Sequence, residues 1–379
     1  MTTPPPAGSV PIEALASERA GGAGEGGAGE GGAGEGGEGE GGEGGAGEGG
    51  APDRSLRWGV LGTGHIARAF VADVKAHGGG TVTAIGSRDP AHAEAVAAEL
   101  GVSGHGSYES LVADDGVDAV YVATPHPFHL AGALLSMSHG KATLVEKPFT
   151  MDAGEARHAV EAARAAGVFL MEAMWSRFLP RFRALRRLLD GGTLGEIVTV
   201  WADLRNRFPA DPAHRLLAPE LGGGALLDLG IYPVSLAWFV LGRPSRLQAE
   251  QTPAFTGVDA QTSIVLAYPS GAQALLSCCL SANGPNRATI LGTEARVELD
   301  GPFFAGGALE IVAADRSRTR VEPPHQGQGL WYEAAEVSRC VAAGLLESPV
   351  LPLDETVAIM ETLDEVRRAA GAVARRGGS

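Results

Sequence analysis

From residue 55 onward the apolar positions follow two rhythms. Short, largely apolar runs at 57–61, 81–86, 117–123 and 142–145 alternate with segments whose apolar residues recur at helical spacing. Runs without an apolar/polar alternation signal strands covered on both faces, as in a parallel sheet. Helices are predicted from 65 to about 76, over 90–100 with Gly101 as the left-handed stop, and around 130–137. Asp152 and Glu155 form a capping box that opens another helix, with Ala156, Val160 and Ala163 on one face and Gly167 closing it. The chain then returns to the sheet at 168–170. Strand and helix alternating over this length predict right-handed crossovers and a doubly wound parallel sheet.

Near residue 177 the rhythm changes. One helix at 178–189 precedes strand-like runs at 197–204, 246–251, 263–268, 272–280, 288–291, 296–299, 309–313 and 318–322. Tight turns such as Tyr268-Pro269-Ser270-Gly271 predict mostly antiparallel pairing. Helices at 332–343 and 353–370 end the pattern. The expected organisation is a tail over 1–54, an α/β dinucleotide-binding domain over 55–174 and an α+β domain over 175–374.

Composition changes this picture mainly at the N-terminus. Residues 21–50 contain only Gly, Ala and Glu, 19 of them Gly, so little apolar surface is present to offset ordering entropy and disorder is expected. Residues 1–53 carry ten acids against Arg19, a net −9 of the chain's −15, which leaves −6 for the remainder. That remainder shows no basic face for nucleic acid. Its three cysteines have no metal-ligand spacing, and no apolar segment reaches the roughly 20 residues that span a membrane. The first residues also lack the pattern of a signal peptide. A cytoplasmic protein is expected.

The first strand runs into Gly62-Thr63-Gly64-His65-Ile66-Ala67. Gly62 permits the tight turn, Gly64 lets the backbone approach a pyrophosphate, and Ala67 allows close helix–strand packing. The helix N-terminus favours the anion. At the end of the second strand stand Ser87, Arg88 and Asp89. A guanidinium and a hydroxyl suit a 2′-phosphate, so NADP is expected over NAD provided that Asp89 does not face the pocket.

The strand at 142–145 ends in Glu146-Lys147-Pro148, which places Lys147 where parallel sheets bind ligands. A cis Lys147–Pro148 bond suits so sharp a turn. Asp228 and Tyr232 lie four apart and share a helix face. Beside Lys147 the Tyr232 phenol is expected to lose its proton more readily, making it an acid/base. His126 and His129 have no third ligand at suitable spacing, so no metal is expected.

These motifs, with "TPHPFH" (124–129), "FLMEAMWSRFLP" (169–180), "GGGALLDLGIYPV" (222–234) and "SPVLPLDE" (348–355), resemble the Gfo/Idh/MocA oxidoreductase superfamily. Within it they are similar to the dimeric dihydrodiol dehydrogenases and NADP-dependent D-xylose dehydrogenases, over about residues 55–372. The resemblance implies a Rossmann domain, then an α+β domain whose large, open, mostly antiparallel sheet carries substrate-binding and dimer contacts. It implies oxidation of a sugar or diol hydroxyl by hydride transfer to NADP in a homodimer. Lys147 and Tyr232 become the catalytic pair, and Asp228 orients substrate or Lys147. Arg88 matches the 2′-phosphate contact. Trp175 matches an aromatic of the substrate pocket, and Phe303 or Phe304 falls near another. His65, Ile66, Thr124, His126, His129, Glu146, Lys147 and Arg177 lie within the same motifs and are assigned to the cofactor, and Tyr232 also to the substrate.

Two departures bear on specificity. His126 stands where many members have Asn, and the segment 205–221, which leads into the site, is longer than in the similar subgroup. An NAD-dependent glycosidase of the same superfamily and a non-catalytic NADP sensor remain as alternatives. Ser87-Arg88 argues against the first, and intact Lys147, Asp228 and Tyr232 against the second.

Overall fold

The computed structural model describes residues 55–376, and the tail expected over 1–54 lies outside them. Six parallel strands form the first sheet: β1 (Arg57–Leu61), β2 (Thr81–Gly86), β3 (Ser103–His105), β4 (Ala119–Val122), β5 (Ala142–Glu146) and β6 (Leu170–Ala173), in spatial order β3-β2-β1-β4-β5-β6. Helices α1 (His65–His77), α2 (Pro90–Leu100), α3 (Tyr108–Val112), α4 (His129–Ser138) and α5 (Ala153–Ala166) make the crossovers. Trp58, Val60, Leu61, Ala119, Val120, Tyr121, Val122 and Leu144 are fully buried, the unbroken burial of a sheet covered on both faces. The strand order reverses between β1 and β4, so their C-terminal ends open the crevice in which such sheets bind ligands.

The second sheet has eight strands: β7 (Ile197–Arg205), β8 (Arg246–Pro253), β9 (Asp259–Ala267), β10 (Gln273–Cys279), β11 (Ala288–Gly292), β12 (Ala295–Leu299), β13 (Leu309–Ala313) and β14 (Arg318–Val321). They run in the order β14-β13-β12-β11-β7-β10-β9-β8, antiparallel except where β10 lies parallel to β7. Burial alternates along them, as in Val200, Ala202 and Leu204 of β7. Helices α6 (Pro180–Asp190), α7 (Ile231–Leu241), α8 (Leu330–Ala342) and α9 (Leu353–Arg376) complete the order. The stretch Pro219–Leu241 is long enough to cross a membrane, but 89% of its most apolar 18-residue window is buried, so it serves as core.

Several element ends depart from the sequence expectation, β9 among them, which begins at Asp259 rather than 263. The strand expected at 168–170 is displaced to β6, because pairing with β5 starts at Thr143 opposite Leu170. Strand β3 and helix α3 went unforeseen, being too short for a periodicity to show. A π-helical turn, Leu226–Gly230, precedes α7; such turns recur at functional sites. The turn runs directly into α7 with Gly230 still helical, so Asp228 and Tyr232 share one continuous helix and Pro233 lies just past the π-type turn that accommodates its missing N–H.

Two buried side chains fix the site's surroundings. Asp73 of α1 accepts from the backbone N–H groups of Gln328 (2.8 Å), Gly329 (2.9 Å) and Trp331 (3.1 Å), tying the start of α8 to the cofactor side. Arg181 of α6, 2% exposed, donates to the carbonyls of Asp300, Pro302, Phe303, Ala305 and Ala308 at 2.7–3.4 Å and holds the loop 300–308.

Candidate active site

A cleft of about 620 Å³ opens above the C-terminal ends of β1, β4 and β5. At one end the turn after β1 is shaped by glycine. Gly62 has φ +109°, and a Cβ there would lie 2.6 Å from the Ala123 carbonyl oxygen, so only glycine fits. A Cβ on Gly64 would meet nothing within 4 Å and would project into open space at the N-terminus of α1. That helix has no side-chain cap, which leaves its first N–H groups available to an anion. Thr124 Oγ1 is buried without a protein partner and lines the same cleft. His65 and Ile66 line it as well. The open cradle, uncapped helix and unpartnered hydroxyl fit a dinucleotide.

Ser87 and Arg88 form the far wall with Tyr108. The Arg88 guanidinium lies 5.0 Å from the ring centroid of Phe128. Asp89 turns away and caps α2, its carboxylate accepting from the His92 N–H at 3.2 Å. The Arg88 cation faces the cleft and the neighbouring acid does not.

At the other end stands Lys147, in a turn whose Lys147–Pro148 bond is cis. Its Nζ donates to Asp228 Oδ1 and to the Asp228 carbonyl, both at 3.2 Å. Burial disfavours the ammonium, but Asp228, then Tyr232 and Glu146, outweigh it and hold the Lys147 pKa above the ordinary lysine value. Burial alone would raise Asp228; Lys147 and Arg215 reverse that and hold the carboxylate well below its ordinary range. The pair is charged across the physiological range.

Around it, His126 directs Nδ1 at the Gly222 carbonyl (3.1 Å) and Nε2 toward Asp228 Oδ1 (3.7 Å). Burial, and then the neighbouring His129, push its pKa down to about 3, so the ring is neutral. A carbonyl accepts only, so Nδ1 carries the hydrogen and Nε2 is left as an acceptor in the cleft. His129 is fully buried between the carbonyls of Thr124 (2.8 Å) and Pro148 (2.9 Å), pinning the ends of β4 and β5 together. Glu146 accepts from the Tyr121 hydroxyl and from the Lys147 backbone N–H (2.9 Å), and burial raises its pKa.

Tyr232 differs from the expectation. Burial pushes its phenol up to about 12, and Lys147 only partly counters this. The reason is geometric: Lys147 Nζ sits 5.0 Å from the centroid of the tyrosine ring while its hydrogen bonds go to Asp228. The Tyr232 oxygen instead accepts from Trp175 Nε1 at 2.9 Å.

Two assigned residues lie elsewhere. Arg177 is buried behind the cleft, where it donates to Glu355 (2.7 Å), the Ser235 carbonyl (2.9 Å) and Ser235 Oγ (3.0 Å). These partners satisfy its guanidinium in the interior, so it joins α7 to α9 without reaching the cofactor cleft. Phe303 is 1% exposed in the core. Its neighbour Phe304 supplies the aromatic contact, 4.5 Å from the Tyr232 ring.

The sequence reading also missed Arg215, Tyr108 and Gln328. Arg215 reaches in from the long segment 205–221 and grips Asp228 at 3.1 and 3.4 Å while staying more than half exposed. That segment's placement against the site was the available signal, but its unpatterned sequence did not single out one residue.

Residues 56–174 match the oxidoreductase family with an NAD-binding Rossmann fold, and residues 182–298 match the GFO/IDH/MocA C-terminal domain. The mouse trans-1,2-dihydrobenzene-1,2-diol dehydrogenase is 37% identical over 332 residues, covering 84% of this chain and 97% of the mouse protein. Among solved structures, KijD10, a 3-ketoreductase from Actinomadura kijaniata in complex with NADP and TDP-benzene, superposes with TM-score 0.74 at 28% identity, covering 83% of this chain and 98% of its own. The aldose-aldose oxidoreductase from Caulobacter crescentus superposes with TM-score 0.77 at 25% identity, covering 84% and 98%.

Proposed function

The chain belongs to the Gfo/Idh/MocA oxidoreductase family, and from that premise we propose an NADP-dependent dehydrogenase that oxidises a hydroxyl of a sugar or vicinal diol. The observation that carries the reading is the Lys147–Asp228–Tyr232 cluster at one end of a cleft whose other end presents Arg88. A bound nicotinamide would supply the hydride acceptor. Gly62, Gly64, Thr124 and the N-terminus of α1 would hold its pyrophosphate, with Ser87 and Arg88 on the 2′-phosphate. The chain's residues then manage charge and proton. Lys147, kept charged by Asp228, stabilises the negative oxygen that develops as the hydroxyl is oxidised. Tyr232 takes up the hydroxyl proton, and the neutral His126 Nε2 orients a second hydroxyl.

The high phenol pKa sets the pH response. Oxidation needs ionised Tyr232 and should gain rate as pH rises toward about 12, whereas reduction uses the neutral phenol present near pH 7. The test is formation of NADPH at 340 nm with NADP, and NAD in parallel, across aldoses, polyols and vicinal diols. Turnover of one substrate class with a preference for NADP is the expected result; silence despite NADP binding would remove the dehydrogenase reading. In the same assay Arg88→Ala should raise the KM for NADP roughly 10–100-fold while sparing NAD, the value of charge-assisted bonds to a phosphate.

Residues 55–174 would then carry the cofactor, and residues 175–374 the substrate and the contact with a second copy. The outer face of the eight-stranded sheet supports the dimer, since Trp201 and Leu275, in register on β7 and β10, are 48% and 40% exposed. Trp201→Glu should halve the mass found by sedimentation, and an unchanged mass would remove this face from the interface. A reducing cytoplasmic setting suits the free, buried Cys278, Cys279 and Cys340.

A further inference from the structure

Trp175 was assigned from sequence to the wall of the substrate pocket, but its indole N–H points at another protein atom. Nε1 lies 2.9 Å from the Tyr232 oxygen. An indole nitrogen only donates, so that oxygen must be the acceptor. A phenolic oxygen accepts through its lone pairs while its own hydrogen points elsewhere, and the indole N–H takes up one accepting side.

The arrangement is held from several sides. The Tyr232 ring is fixed by Lys147 Nζ, 5.0 Å from its centroid, and by Phe304 at 4.5 Å. Phe304 also meets Trp175 edge-on, with centroids 5.9 Å apart at 88°. The loop bearing Phe304 is caged by Arg181. Gly329, at φ +100°, leaves room for the indole, because a Cβ there would approach Trp175 Cζ3 to 3.3 Å. The Asp73 carboxylate fixes that glycine through its N–H at 2.9 Å.

We propose that Trp175 is a positioning residue for proton exchange: its N–H holds one side of the Tyr232 oxygen, so that the phenolic hydrogen, or the lone pair that replaces it, faces the substrate. The same hydrogen bond strengthens when the oxygen becomes negative, so it favours the ionised form that oxidation requires. This deepens the proposed dehydrogenase reading and rests on Tyr232 exchanging the proton. A pocket wall alone would act on substrate affinity and leave the phenol untouched.

The first test needs no turnover. Five tryptophans give five indole N–H resonances in a ¹⁵N-labelled sample. The one absent from Trp175→Phe identifies Trp175, and in Tyr232→Phe it should move upfield and exchange faster. An unmoved resonance overturns the hydrogen bond. The second test is kinetic. Trp175→Phe should lower kcat for oxidation near neutral pH about tenfold and shift the rising limb of the kcat profile about one pH unit upward, with KM within about threefold. In a Tyr232→Phe background the same substitution should add no further loss in kcat. A raised KM with an unshifted profile, or an equal loss in both backgrounds, would overturn the proposal. A wild-type protein without turnover would count against the dehydrogenase reading, and the resonance would still decide the contact.

Discussion

Lys147→Met is expected to lower kcat about 10³-fold or more while leaving the Kd for NADP within a few-fold. The size follows from removing the charge that meets the developing oxyanion in a buried site, where a single donor is worth 10²–10³. Two effects add to it. Without the ammonium, Tyr232 loses the neighbour that most favours its ionised form, and the phenol rises further from neutrality. Asp228 keeps Arg215, a side chain 57% exposed, as its one remaining hydrogen-bonded cation among the described residues, so the carboxylate is less firmly held. Cofactor binding is spared because Gly62, Gly64, Ser87 and Arg88 occupy the other end of the cleft. Stopped-flow turnover together with quenching of tryptophan fluorescence by NADP separates the two quantities. Turnover within tenfold of wild type would remove Lys147 from the mechanism.

The largest effect on stability is expected at Arg181, far from any ionic partner in contact. Burial lowers its pKa to about 10, yet the side chain remains charged and donates to five carbonyls of one loop. Arg181→Met keeps the aliphatic bulk and deletes every one of those donors. Hydrogen bonds to charged groups contribute about 1.5–3 kcal/mol each, offset here by the cost of burying the guanidinium, so a net loss of about 3 kcal/mol is expected. With an unfolding entropy of about 2.1 cal/mol/K per residue over a chain of this size, about 3 kcal/mol should lower Tm by roughly 4–5 °C. Because the loop carries Phe304 onto the Tyr232 ring, kcat should fall with it. Calorimetry and initial rates on the same preparation check both, and an unchanged Tm would refute the cage.

The local motifs were legible because each is a short-range backbone requirement. Gly62 announces its turn by the side chain the turn cannot accommodate, and Glu146-Lys147-Pro148 announces itself by following a buried strand. Asp228 and Tyr232 were paired by a spacing that survives the π-helical turn. The parallel sheet could be read from runs apolar on both faces, and the second sheet from its turns.

Roles that depend on what lies across space were not legible. Arg177 looked like a cofactor ligand until Ser235 and Glu355, 58 and 178 residues away, absorbed its guanidinium. Phe303 and Phe304 are adjacent and chemically identical, and only the course of the Arg181-held loop sends one into the core and the other to Tyr232. The expected drop in the Tyr232 pKa turned into a rise because burial, which spacing cannot reveal, outweighs a cation placed over the ring and away from the oxygen. The sequence by itself determined which backbone turns and strand ends would form the cleft, since those follow from periodicity and steric limits within a few residues. Only the tertiary structure decided where each charge and hydrogen bond falls within it, because desolvation and donor–acceptor geometry are set by groups far apart in the chain.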